Sequence, residues 1–267
     1  MKPHSKKINL VLSGTGAFYP VHAGALIALL ELGYEVKAIS ATSGGAIVAA
    51  CLAGQCNLRK MKRMIVNYNP WSILLKNAQW KFDANWGFYD NTATERLVYR
   101  MGGDVSFKDA SIPVTIIATQ VLPTFDRIIF NRDTVPDMML SRAAQISSTI
   151  PILFQPIHFE DKTLIDGSFI DNLHIESFKD DFKNTIAIGV KVRALSDPKT
   201  FWQYLKYCGS MLLADQGTHY IPEDLTYIPI NIYDHFSPLK FDLTRADRLK
   251  LFNIGYDAIK NNLELKD

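Results

Sequence analysis

Two rhythms of apolar and polar residues run along this chain. Short, mainly apolar runs at 8–12, 36–40, 113–118 and 185–190 read as buried strands; apolar residues recurring every third or fourth place read as helices. A glycine-rich break follows the first run. After it comes a helix with Pro20 in its first turn, where the missing N–H would go unpaired anyway, passing through His22, Gly24, Leu26, Leu29 and Leu30 to Gly33. The second run leads through Ser43 into a helix ending near Gly54. This order predicts the α/β class: a mostly parallel central sheet covered on both faces, in three layers α/β/α.

Further on, Leu97, Val98 and Met101 mark a helix over 92–101. Strands at 113–118 and 127–130 are joined through a turn at Pro123. Asp133 or Thr134 can cap a helix through Met138, Met139, Leu140 and Ala143, with Pro136 in its first turn and 147–151 ending it. Residues 154–159 and 163–165 read as a hairpin with 160–162 at its tip, the returning strand delivering Asp166 and Gly167. Phe201, Leu205, Cys208 and Leu212 share one helical face, and 227–233 is a further strand. Thr244 and Asp247 stand in capping-box spacing before a helix striped by Leu249, Phe252, Tyr256, Ile259 and Leu263. Neither repeats nor linkers interrupt the pattern, so one domain over 1–267 is expected, its C-terminal part (200–267) made of helix and strand. Residues 57–92 stand apart, with Trp71, Trp80 and Trp86 among Lys76 and Lys81. They read as packed core or as a flap lying at a lipid interface.

Ser43 sits where a buried strand turns directly into a helix. In so tight a turn the residues two places either side must be small, and the serine is left projecting over the positive end of the helix. Ala41 and Gly45 meet that requirement, with Thr42 and Gly44 completing the elbow, so Ser43 reads as an activated nucleophile. Ser40, Thr42 and Ser43 could equally cap an ordinary helix.

The earlier loop, Ser13 to Ala17, places backbone N–H groups between a strand and a helix, which suits an anion or an oxyanion. A dinucleotide fingerprint fits poorly. Tyr19 takes the place of its third glycine, and no acidic residue closes the second strand. A serine needs a base. His4, His22, His158, His174, His219 and His235 are available, none in a distinguishing setting. Asp166 closes a strand and is followed by Gly167, so it can serve as base if burial raises its pKa. It can also be an ordinary Asp-Gly turn.

Taken together the features are more specific. A strand, Gly14-Thr-Gly-Ala17 and a helix come first; a strand, Ala41-Thr-Ser-Gly-Gly45 and a helix follow; Asp166-Gly-Ser168 after a strand comes much later. This ordered set resembles the patatin-like phospholipase family over about residues 8–175. His22-Ala-Gly-Ala-Leu26 and Ser147-Ser-Thr-Ile-Pro151 resemble further family segments. The resemblance implies a patatin-like fold with Ser43 as nucleophile and Asp166 as general base. It also implies Gly14, Thr15, Gly16 and Ala17 as the oxyanion loop, and no metal or other cofactor. The implied activity is phospholipase A-type hydrolysis of glycerophospholipids through an acyl-enzyme. Five departures stand out: Ala41 replaces the first glycine of the elbow, Thr15 replaces the middle glycine of the loop, Phe18 replaces the basic residue usual after it, Tyr19 stands where a glycine is common, and Ser168 replaces Gly or Ala. The same acyl-enzyme would serve an acyltransferase, and a weakened site would leave a lipid-binding protein. A Ser-His-Asp hydrolase would instead use His219 or His235.

Composition acts by exclusion. With 29 Lys and Arg against 27 Asp and Glu, net charge +2, the chain is no dedicated nucleic-acid binder. Cys51, Cys56 and Cys208 are too few for a disulfide framework or a zinc site, which suits a reducing cytoplasm. The apolar run at 8–12 is too short for a signal segment, and no stretch approaches the roughly 20 apolar residues of a membrane span. The expected partner is a lipid, met by peripheral membrane contact; oligomeric state is not encoded in these patterns.

Overall fold

The computed structural model describes residues 6–72, 86–102, 105–193, 199–200, 220–233, 237 and 239–263. Its strands are β1 (Lys6–Leu12), β2 (Tyr34–Thr42), β3 (Gly87–Tyr89), β4 (Val114–Leu122), β5 (Asp126–Phe130) and β6 (Ile152–Phe154), then β7 (Ile157–Phe159), β8 (Lys162–Asp166), β9 (Thr185–Arg193) and β10 (Thr226–Tyr233). Its α-helices are α1 (Tyr19–Glu31), α2 (Gly44–Ala53), α3 (Leu58–Asn67), α4 (Thr92–Gly102), α5 (Leu140–Ser147) and α6 (Arg245–Leu263). The expected helical face of Phe201, Leu205, Cys208 and Leu212 lies outside the described residues. So do His4, His219, His235, Trp80, Lys76 and Lys81.

Five strands run parallel in the order β10, β9, β1, β2, β4, giving the α/β fold with a mostly parallel sheet flanked by helices. The decisive pairing is at β4. Ile117 pairs with both Thr42 and Ile129, and Ala118 pairs with both Ile128 and Asp166. A strand has two edges. Antiparallel β5 holds one, so parallel β2 and antiparallel β8 share the other, meeting end to end with their C-termini together. That junction puts Ser43 beside Asp166.

The two sheet faces are covered differently. Leu10 and Leu12 of β1 enter the main core, to which all six α-helices contribute. Val11 points the other way, into a smaller cluster with Leu173, Ile175, Ala187 and Leu225, near two short 3-10 turns (Ile175–Phe178 and Phe182–Asn184).

Helices α1 and α6 touch backbone to backbone. A Cβ at Gly24 would lie 1.9 Å from the Phe252 carbonyl oxygen, and one at Gly255 would lie 1.9 Å from that of Val21. Only glycine allows so close a crossing. Tyr256 reaches Glu31 on one side of it, and Arg248 shares a cavity with Tyr19 on the other, so the two helices run the same way. The expected capping box is present: Asp247 N–H donates to Thr244 Oγ1 at 3.1 Å, and Thr244 N–H to Asp247 Oδ2 at 3.0 Å.

Two sequence expectations need correction. The helix expected from Asp133 begins only at Leu140. Asn131 Oδ1 accepts the N–H groups of Asp133 and Thr134, and Thr134 Oγ1 donates back to Ile129, which closes a turn instead of opening a helix. The run 154–159 is two strands. Pro156 lies between them; Phe154 pairs with Tyr89 in a small separate sheet, while β7 forms the hairpin with β8.

Candidate active site

Ser43 has φ 50° and ψ −120°, a left-handed conformation that costs energy for any residue but glycine. Its surroundings hold it there. The Ser43 N–H donates to Ser147 Oγ at 2.8 Å, and that hydroxyl donates onward to the Ile117 carbonyl at 2.6 Å. Close packing accounts for the small neighbours. A Cβ at Gly45 would meet the Ser13 and Leu12 carbonyl oxygens at 2.7 and 2.8 Å, and one at Gly44 would meet Thr15 Oγ1 at 2.2 Å. Ala41 is buried where β2 lies between Leu12 and Ile116. Although Ser43 stands at the N-cap of α2, its side chain makes no capping bond.

Its hydroxyl goes elsewhere. Ser43 Oγ donates to Asp166 Oδ2 at 2.6 Å, across 123 residues of sequence. Asp166 is fixed on every side: its N–H donates to the Thr149 carbonyl at 2.8 Å, its own carbonyl accepts from Thr119 Oγ1 at 2.8 Å, and Oδ1 accepts the Ser168 N–H at 2.9 Å. Gly167 follows because a Cβ there would lie 2.3 Å from the Ile117 carbonyl oxygen. A 3-10 turn follows it, so Asp166-Gly167 is no hairpin turn. Burial pushes the Asp166 carboxyl up to about 6, against the pull of the Ser43 and Ser168 hydrogen bonds. The direct contact leaves no room for an imidazole between serine and acid.

The glycine loop lies alongside. His22 is fully buried and donates from Nε2 to the Ser13 carbonyl at 2.8 Å; burial lowers its pKa to about 4, so it braces the loop as a neutral ring. Gly16 has φ +53°, which glycine adopts freely. Of the four residues expected to form an oxyanion loop, Gly14 must be set aside as a donor. Its N–H is already bound to the Asn172 carbonyl at 3.0 Å, so it shapes the loop. The N–H groups of Thr15, Gly16 and Ala17 have no acceptor among the described residues. Phe18 is buried in the core.

Sequence reasoning missed several contributors. Ser147 and Thr149 hold the elbow and the aspartate from a single segment, and Asn172 ties the aspartate's loop to the glycine loop. Thr42 Oγ1 donates to the Asp171 carbonyl at 3.0 Å, another tie between serine and acid loops. The Asp171 carboxyl, despite its burial, stays below its usual range through hydrogen bonds from His174 at 2.7 Å and Arg127 at 2.6 Å. That pair borders a separate surface cleft with Glu176. Trp71 is buried in the core. With Gly16, Ile47, Ile150 and Phe241 it lines a space of about 10 Å³ next to Ser43, room for one water.

Comparisons with known proteins bear on the family and the fold. The family model described as "Patatin-like phospholipase" matches residues 10–179. An uncharacterized protein of Acanthamoeba polyphaga mimivirus is 24% identical, with 96% of this chain and 93% of that one covered. Neuropathy target esterase of Drosophila melanogaster is 25% identical over 170 residues, 62% of this chain but 11% of that protein. VipD from Legionella pneumophila shares the fold with a TM-score of 0.63 at 14% identity, over 98% of this chain and 67% of that one. ExoU of Pseudomonas aeruginosa, in its complex with SpcU, does so at 0.51 and 16% identity, over 98% and 52%.

Proposed function

The chain belongs to the patatin-like phospholipase family, a family of lipid hydrolases, and from that premise we propose that it is a phospholipase A-type esterase working through Ser43 and Asp166. The observation that carries this reading is the 2.6 Å bond from Ser43 Oγ to a buried carboxylate whose pKa is raised to about 6. Such a carboxylate is ionised near neutrality yet basic enough to take the serine proton.

Asp166 removes that proton as Ser43 Oγ attacks the acyl carbonyl of a glycerophospholipid. The oxyanion is met by the N–H groups of residues 15–17. As the tetrahedral intermediate collapses, Asp166 returns the proton to the departing alcohol, leaving an acyl-serine and a lysolipid. Water then attacks the acyl-serine, giving its proton to Asp166, which hands it back to Ser43 as the fatty acid leaves. The substrate reaches the site by peripheral contact with a membrane. No helix among the described residues is long and apolar enough to cross one. Helix α3 supports surface contact, since Arg59, Lys60, Lys62 and Arg63 are all exposed on it and it carries no acid.

Ser43→Ala should lower fatty-acid release from phospholipid vesicles by at least about 10⁴-fold and abolish labelling by a fluorophosphonate, with the fold intact by circular dichroism. Undiminished release from the folded variant would refute the assignment.

A further inference from the structure

The mechanism above leaves Ser168 without a task. It stands where the family pattern has Gly or Ala, so its hydroxyl is an addition to the loop after Asp166. Ser168 is 9% exposed, and its N–H already donates to Asp166 Oδ1 at 2.9 Å. Its Oγ lies against the glycine loop, 1.9 Å from where a Cβ on Gly14 would stand, and has no hydrogen-bond partner among the described residues. A buried hydroxyl left unpaired costs stability, so one that is kept calls for a use.

That use follows from what acylation does to Asp166. In the free protein Oδ2 accepts the Ser43 hydroxyl at 2.6 Å and Oδ1 accepts the Ser168 N–H. Once Ser43 Oγ carries an acyl group it has no hydrogen to donate. Asp166, having returned its proton to the departing alcohol, is then a buried carboxylate short of one donor. Burial drives such a group toward its neutral form, which cannot take a proton from water. The Ser168 hydroxyl sits on the same residue as the bound N–H, turns about its own bonds, and has no other acceptor to give up. Burial raises the Asp166 carboxyl to about 6; this hydroxyl pulls against it, after the Ser43 hydroxyl and the Ser168 N–H, although it falls short of a hydrogen bond. No ionised neighbour takes over the task. Thr119 and Thr149 bond the aspartate's backbone, His22 behind the glycine loop is a neutral ring, and Asp171 and Arg127 are paired with each other.

We propose that Ser168 is a positioning residue for the second half of the reaction, an inference that rests on the hydrolase reading above: its hydroxyl turns from Gly14 onto Asp166 when Ser43 is acylated, and holds the carboxylate ready for the attacking water. The water oxygen adds to the acyl carbonyl and passes a proton to Asp166. The bond from the acyl carbon to Ser43 Oγ then breaks, Asp166 returns the proton to Oγ, and the fatty acid departs. As the serine hydroxyl re-forms it reclaims Oδ2, and Ser168 is released.

Ser168→Ala removes the hydroxyl, keeps the N–H and the Cβ, and introduces a residue the family pattern accepts there. One measurement needs no catalysis: NMR titration of Asp166 with carboxyl-labelled aspartate, using Ser43→Ala to remove the serine's donor as acylation does. In the Ser43→Ala protein, adding Ser168→Ala should raise the Asp166 pKa by about 0.5–1; with Ser43 present the rise should be less than half of that. Equal rises in the two backgrounds, or none in either, would overturn the proposal. The second measurement is stopped-flow kinetics on p-nitrophenyl butyrate, with the burst reporting acylation and the steady phase deacylation. Ser168→Ala should leave the acid limb of acylation in place and move that of deacylation upward, slowing deacylation about 3–10-fold at pH 6 and progressively less toward pH 8. Parallel movement of both limbs would show a merely structural effect and overturn the assignment to the second step. If wild type gives neither burst nor product, the hydrolase reading fails and the role in turnover falls with it, while the titration still decides the hydrogen bond.

Discussion

Ser43, Ser147 and Asp166 find partners for their buried polar groups: the serine N–H and hydroxyl, the Ser147 hydroxyl, and the aspartate's N–H, carbonyl and both carboxylate oxygens; beside them Thr15 Oγ1, Ser168 Oγ and the Asn172 amide have none among the described residues. Behind the Trp71–Phe241 pair, Tyr19 Oη and Trp71 Nε1 likewise have no partner among the described residues, while Arg248 donates to the Val66 and Leu243 carbonyls. The two regions share a wall yet are built to different ends. The first is organised before substrate arrives, which is how dipoles stabilise developing charge without reorganising. The second packs two aromatic rings around donors that the described residues leave unpaired.

The contrast can be broken most severely at Asp166. Asp166→Asn should reduce kcat by about 10²–10⁴-fold. Wild-type activity should rise as pH rises through about 6, because the ionised carboxylate is the base. Stability runs the opposite way. The folded pKa, about 6, lies above the ordinary 3.8, so the group's stabilising contribution is complete below pH 4 and lost as pH rises through 6. The asparagine variant stays neutral, so at pH 8 it should exceed wild type by up to about 3 kcal/mol in urea denaturation, with the gap closing below pH 4. A smaller break falls at Ser147. Ser147→Ala frees the Ser43 N–H and the Ile117 carbonyl, and steady-state kinetics should show kcat down about 10–100-fold with KM nearly unchanged. On the other side of the wall, Gly255→Ala forces a methyl group against the Val21 carbonyl. Denaturation should show a loss of about 1–3 kcal/mol.

The sequence made the local parts legible. A strand breaking into small residues around Ser43, glycine after Asp166, and threonine three places before Asp247 each show in residue type, even where the atoms that demand a small residue, the Leu12, Ser13 and Ile117 carbonyls, lie far along the chain. What escaped was set by distant partners. Nothing near Gly14 announces that its N–H is claimed by Asn172, nor anything near Ser147 that its hydroxyl supports the serine elbow. Asp133, Thr134 and Pro136 carry good helix-start chemistry, but Asn131 competes for the same N–H groups and wins. Trp71 read as core or interface by composition; only its packing against Tyr19 and Phe241 puts it between two cavities.

Because β2 and β8 abut on one edge of β4, the serine and its acid belong to different episodes of synthesis. A ribosome adding about 5–20 residues each second needs roughly 6–25 s to travel from codon 43 to codon 166. Throughout that interval the nascent polypeptide holds Ser43 without the carboxylate it meets in the fold. If Asp166 is the base proposed above, chemical competence arrives only after the later strand has docked.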